Sequence, residues 1–141
     1  MIILDTDHLS ELQRDDSKRR VKLVQRLDRR GERTVATTII SVEEALRGRL
    51  ATIHSRPAGS QQVIPYMELL DLLTFCAEWL ILPFDPTSAD RFQQLRTARV
   101  RIGTMDLKIA SIALVHGATL LSANLRDFRQ VPGLAVEDWL S

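Results

Sequence analysis

The chain has 141 residues, of which 45% are hydrophobic, 26% charged and only 5% aromatic. That length fits one domain over 1–141, the apolar content excludes a disordered chain, and the shortage of aromatics argues against a β-sandwich and for helices on a small aliphatic sheet. Lys and Arg total 19 against 18 Asp and Glu, a net charge of +1, so no global field steers a polyanion and local patches must select partners.

The opening apolar run, Ile2 to Leu4 ended by Asp5, lacks polar alternation and reads as a central strand buried on both faces. HLSELQR and SKRRVKLVQRLDRRG space Leu and Val helically and stop at Gly31. RTVATTI is a second strand, and Ser41 is expected to start the helix VEEALRGRLATIHS. After the turn at Pro57 to Gly59, the spacing of Val63, Met67, Leu70 and Leu73 predicts a long helix reaching Trp79, with Pro65 in its first turn. LILPF gives a third strand, Pro86 to Arg99 a helix, TMDLKIASIALVHG a helix closed by Gly117, and TLLS a fourth strand. A helical turn around Arg126 to Phe128 precedes LAVEDW, an edge strand. The single cysteine, Cys76, has no disulfide partner and reads as a small buried hydrophobe. Asp5 arrives too early for a signal peptide, and no run approaches the roughly 20 apolar residues of a membrane span. The expected compartment is the cytoplasm.

Strands alternating with helices imply right-handed crossovers and a parallel sheet with helices on both faces, in which sites collect beyond the carboxyl ends of the strands. Five residues are expected at that edge: Asp5 after the first strand, Glu44 in the helix after the second, Asp106 in GTMDLKIAS, and Asn124 and Asp127 after the fourth. Any one acid could simply cap a helix. Several acids from distant segments at one edge repel one another unless a hard, oxygen-loving divalent cation sits among them.

The segments LDTDHLS, ISVEEALRG, IGTMDLKIASIALVHG and TLLSANLRDFRQVPGLAVEDW run from one terminus to the other. With them the chain resembles the PIN-domain ribonucleases, and more closely the VapC-type toxins of type II toxin–antitoxin pairs. The resemblance implies a three-layer α/β/α fold around a mostly parallel sheet of four or five strands, and RNA cleavage that depends on Mg²⁺ or Mn²⁺. It implies Asp5 and Asp106 as metal ligands, Glu44 as a ligand or an orienter of the attacking water, and a fourth site residue that is either Asn124 or Asp127. Its implied partners are RNA and a VapB-like antitoxin, in a homodimer or a toxin–antitoxin hetero-oligomer. Where the family often has Asn, this chain has Asp7, which is expected to cap the first helix.

Thr6, Thr104 and Ser122 could bond a metal ligand or a phosphate oxygen. Two basic groups are available for RNA: Lys18, Arg19, Arg20, Lys22, Arg26, Arg29 and Arg30 on one helix, and Arg91, Arg96, Arg99 and Arg101 before Asp106. The second stands next to the site and is the better candidate for phosphate contact. His8, His54 and His116 have neither metal spacing nor a nucleophile beside them and read as structural. Leu9, Leu12 and Leu23 could offer an apolar anchor to a partner, with core packing as the plainer use. Two other function classes compete. Asp5-Thr6-Asp7 also resembles the start of haloacid-dehalogenase-like phosphatases, with Ser122 and Lys108 as forced partners. Asn124, a neutral group where an acid is usual, also suits a catalytically silent PIN-like module that binds RNA or protein.

Overall fold

Ile2, Ile3 and Leu4 lie at the centre of the molecule with no solvent exposure, in a computed structural model that describes residues 1–14 and 17–141. In chain order the described elements are β1 (Ile2–Leu4), α1 (Thr6–Leu12), α2 (Lys18–Arg30), β2 (Val35–Thr38), α3 (Ile39–His54) and a 3₁₀ turn (Ser60–Gln62). They continue with α4 (Val63–Cys76), β3 (Leu80–Leu82), α5 (Pro86–Thr97), α6 (Thr104–Val115), β4 (Thr119–Leu121), α7 (Leu125–Phe128) and β5 (Ala135–Glu137). The strands form one sheet in the order β3-β2-β1-β4-β5, every pairing parallel.

The period-2 geometry of a strand explains why β1 is apolar throughout. Ile3 packs on one face with Leu107, Ile109, Leu120 and Phe128, under α6 and α7. Ile2 and Leu4 pack on the other with Leu9, Leu12 and Leu23, under α1 and α2. The result is three layers, α/β/α. Leu9, Leu12 and Leu23 are therefore core residues and offer no surface to a partner.

Most element boundaries follow local chemistry. Ser17 caps α2 by accepting from Arg19 N–H and Arg20 N–H, and Gly31 ends it at φ 65°. Asp85 caps α5 with Pro86 at the first position, and Gly117 follows α6 at φ 58°. The third helix starts earlier than expected: Thr38, the last residue of β2, accepts from Ser41 N–H and is the cap, so Ser41 is already inside α3. A β-branched residue with a hydroxyl serves the strand and the cap together.

The apolar stripe that predicts α4 lies on its exposed side, and the helix ends at Cys76, short of the expected Trp79. Val63, Met67, Leu70 and Leu73 are 49–63% exposed, while Pro65, Leu72 and Cys76 are buried, the latter two with Val42 of α3. Periodicity selects a helix face but does not say which neighbour covers it, and α4 carries apolar residues on both sides. Among the described residues, no helix is long and apolar enough to cross a membrane.

Candidate active site

Strand order reverses at β1, whose neighbours are β2 on one side and β4 on the other, so the carboxyl ends of β1 and β4 flank the crevice where open α/β sheets place their sites. Asp5 follows β1 there and Ser122 follows β4. Asp5 caps α1 by accepting from Thr6 N–H at 2.7 Å, and its Oδ2 accepts from Ser122 Oγ at 2.7 Å. Ser122 Oγ in turn accepts from Asn124 N–H at 3.0 Å. Glu44, brought over from α3, accepts from Thr6 Oγ1 at 2.7 Å. Asn124 Nδ2 donates to both Asp106 Oδ2 at 3.0 Å and Asp127 Oδ2 at 3.1 Å. The amide must present its nitrogen here, because an oxygen would be a third acceptor among carboxylates.

All five expected site residues thus meet at one edge, and the hydroxyls of Thr6 and Ser122 each hold one of the acids. Thr104 instead starts α6 and lines a neighbouring cleft.

Asp7 does not cap the first helix, since Asp5 already does. Its Oδ2 accepts from Ala123 N–H at 2.9 Å, and its Oδ1 accepts from His8 N–H and His8 Nδ1 at 2.7 and 2.5 Å. His8 Nε2 accepts from the backbone N–H of Trp139 at 3.1 Å, which fixes the proton on Nδ1, toward Asp7. This chain of bonds ties α1, the loop after β4 and the C-terminal segment together. Sequence reading missed it because the His8–Trp139 bond spans 131 residues; His8 is structural, as expected. Burial raises the Asp7 carboxyl, but the hydrogen-bond donors of His8 and Ala123 outweigh it, and the pKa falls below the usual range.

The site acids behave oppositely. Burial pushes Asp5 from 3.8 up to about 6; the Ser122 and Thr6 donors oppose that rise, and the charges of Asp7 and Asp106 add to it. Asp106 is raised by burial and then by the charge of Glu44, against the Asn124 hydrogen bond. Among the described residues, no Lys, Arg or His forms an ion pair with Asp5, Glu44, Asp106 or Asp127. The cluster holds negative charge that only neutral donors satisfy. As the side chains stand, no three acidic, His or Cys groups among the described residues are close enough to share one ion. An all-oxygen, uncompensated donor set is nonetheless the chemistry that Mg²⁺ or Mn²⁺ fits.

A family model described as PIN domain matches residues 2–134. This chain belongs to the PIN-domain family. The PIN domain is 30% identical over 85 residues to the tRNA(fMet)-specific endonuclease VapC of Salmonella typhimurium, a stretch covering 57% of this chain and 64% of that protein. It is 42% identical over 60 residues to ribonuclease VapC1 of Rickettsia felis, covering 40% of this chain and 45% of the relative. The matched stretches thus span less than two thirds of either relative. Over its whole length the fold resembles VapBC2 of Rickettsia felis bound to a promoter DNA fragment, with a TM-score of 0.76, 24% identity and 99% of each chain covered. It also resembles DNA-bound VapBC of Salmonella typhimurium, with a TM-score of 0.74, 22% identity and coverage of 98% of this chain and 97% of the other. The phosphatase alternative falls with the family assignment, and Lys108, which it would need at the site, lies 6.0 Å over the Phe84 ring.

In this PIN domain Asn124 is a neutral bridge between two carboxylates. Asn124→Asp should therefore replace two hydrogen bonds by repulsion, lowering the metal-free melting temperature by several degrees, and excess Mg²⁺ should restore it through mass action. Differential scanning calorimetry with and without Mg²⁺ reads this; a metal-free melting temperature equal to that of the wild type would contradict the bridging role.

Proposed function

We propose that this chain is a cytoplasmic endoribonuclease, the toxin of a toxin–antitoxin pair, that hydrolyses RNA phosphodiester bonds with Mg²⁺ or Mn²⁺ held by Asp5 and Asp106. The observation that carries the reading is the convergence of Asp5, Glu44, Asp106 and Asp127 at the strand-order reversal with no cationic partner among the described residues. The curated names of the relatives, ribonuclease and endonuclease, agree with it.

When bound, such an ion supplies Lewis acidity toward the scissile phosphate and lowers the pKa of water, so no covalent nucleophile is required. Ser122 fixes Asp5 by hydrogen bonding, and the Thr6 hydroxyl holds Glu44 where its carboxylate can orient the attacking water. Asn124 holds Asp106 beside Asp127. Its two amide donors are spent on those acids, which favours Asp127 as the fourth acidic group and Asn124 as the residue that positions it.

The solved structures that resemble this fold include VapBC complexes, and a VapB-like antitoxin is the partner proposed here. With Leu9, Leu12 and Leu23 buried, the apolar contact for the antitoxin or a second copy falls on exposed residues of α3 and α4 such as Ile39, Leu50, Ile64 and Met67. Expression of the chain alone should arrest bacterial growth, and co-expression with the adjacent small gene should relieve the arrest. Accumulation to high level without slowed growth would instead favour the silent binding module.

A further inference from the structure

A second cleft, of about 680 Å³, opens between the end of α5 and the start of α6 and reaches the acidic site at Asp127. Arg96, Arg99, Arg101 and Thr104 line it. All three arginines are exposed, and among the described residues none forms an ion pair. The one acid on the wall, Asp127, accepts from Asn124. By contrast, the basic run on α2 is partly committed to structure: Arg20 donates to the Leu12 carbonyl, and Arg26 and Arg30 lie over the Trp139 ring.

Arg99 is also the only described non-glycine residue with positive φ, at 61°. It closes α5 with two bonds, from Arg99 N–H to the Arg96 carbonyl at 3.0 Å and from Val100 N–H to the Leu95 carbonyl at 3.1 Å. That cap normally takes glycine, and Gly31 and Gly117 occupy the left-handed position after α2 and α6. A side chain there costs about 1 kcal/mol. Backbone strain held at the wall of a site is characteristic of functional positions. Here it puts a third guanidinium on a wall that already carries two, an arrangement that repels itself until an anion enters. Arg96, held 5.5 Å from the Phe92 ring, is steadied by that face.

We propose that Arg96, Arg99 and Arg101 form a subsite for backbone phosphates of the RNA strand flanking the scissile bond. The subsite deepens the ribonuclease reading and rests on it. Guanidinium groups bind phosphate oxygens bidentately, and such contacts fix the register of the strand without reading its sequence.

The test measures anisotropy of labelled short oligouridylate and of a mixed-sequence RNA on the full chain carrying Asp106→Asn, so that the RNA survives. Adding Arg99→Gly should weaken both RNAs alike, roughly five- to tenfold, and reduce the salt slope of log K by about 0.7 for one lost phosphate contact. Its melting temperature should not fall, since glycine suits the cap. Arg99→Ala should lose the same affinity and melt below Arg99→Gly, since it keeps the Cβ at positive φ, whereas Arg56→Ala, at an exposed position outside the cleft, should leave the slope unchanged. If Arg99→Gly, Arg96→Ala and Arg101→Ala all bind like the parent while the wild type degrades RNA, the subsite is overturned and the nuclease stands. The same holds if the parent binds no RNA while the wild type degrades it, because the grip does not involve Asp106. A wild type that degrades no RNA with Mg²⁺ or Mn²⁺ removes the nuclease reading and the subsite together.

Discussion

Replacing Asp5 by Asn should make the metal-free protein more stable at neutral pH while reducing RNA cleavage by at least about a hundredfold. The two effects have one origin. The carboxyl of Asp5, 6% exposed, has its pKa raised to about 6 mainly by burial. Ionising it in the folded state therefore costs on the order of 3 kcal/mol more than in the unfolded chain. Because the folded pKa lies above the unfolded one, the stability linked to its proton is complete below about pH 4 and is lost as pH rises through 6. Asp7, with a depressed pKa, acts in the opposite sense at the acid end, and its contribution disappears as pH falls through its folded value. The metal-free wild type should thus be most stable in mildly acid solution. Asparagine can still accept from Thr6 N–H but must pair differently with Ser122, so only part of the ceiling is recovered. We expect a melting temperature roughly 5 °C above the wild type at pH 7.5, with the gap closing toward pH 4.5. Asp106→Asn should lose cleavage to the same degree with a smaller stability gain, since Asp106 is less buried and already accepts from Asn124. Calorimetric melts across pH would expose an error here: a gap as wide at pH 4.5 as at pH 7.5 cannot come from ionisation of Asp5.

Truncating Trp139 should have the largest effect on stability. Trp139 is 5% exposed and packs with Ile2, Leu4, Leu9 and Leu23. Its Nε1 donates to Glu137 Oε2 at 2.7 Å, and the Arg26 guanidinium lies 4.5 Å above the ring. Trp139→Ala leaves a cavity in the α1–α2 layer and should cost about 3–5 kcal/mol, a large share of the 5–15 kcal/mol typical of a domain. Trp139→Phe keeps most of the packing and the cation–π face but loses the Nε1 bond, so about 1 kcal/mol is expected. The alanine variant also loosens the bond from Trp139 N–H to His8 and, through it, Asp7 and the Ala123 loop. Urea unfolding followed by near-UV circular dichroism gives both numbers. A loss under about 1 kcal/mol in the alanine variant would mean that the C-terminal segment does not brace the sheet.

The parts of the molecule legible in the sequence are those fixed by neighbours along the chain. The run Ile2 to Leu4 ended by Asp5 and the glycines after α2 and α6 each state a local rule, and each appears where expected. The acids also gathered as foreseen, because a parallel sheet carries the ends of its strands to one edge. What stayed hidden depends on packing between distant segments. Nothing in the sequence says that α4 turns Leu70 outward and Leu72 inward, since both spacings are helical and only the docking on α3 chooses. Asp7 read as a cap because the strength of a hydrogen-bond network reaching Trp139 has no sequence signature. The place of Asn124 Nδ2 between the Asp106 and Asp127 carboxylates likewise depends on packing and has no sequence signature.

The most direct measurement is cleavage of a broad RNA panel by the purified chain, with Mn²⁺, with excess EDTA, and with Asp106→Asn in place of the wild type. Cleavage that requires Mn²⁺ and disappears both with the chelator and with the substitution is the expected result. Cleavage that survives either one, or an RNA panel left intact by the wild type with metal present, would contradict a metal-dependent nuclease centred on Asp5 and Asp106.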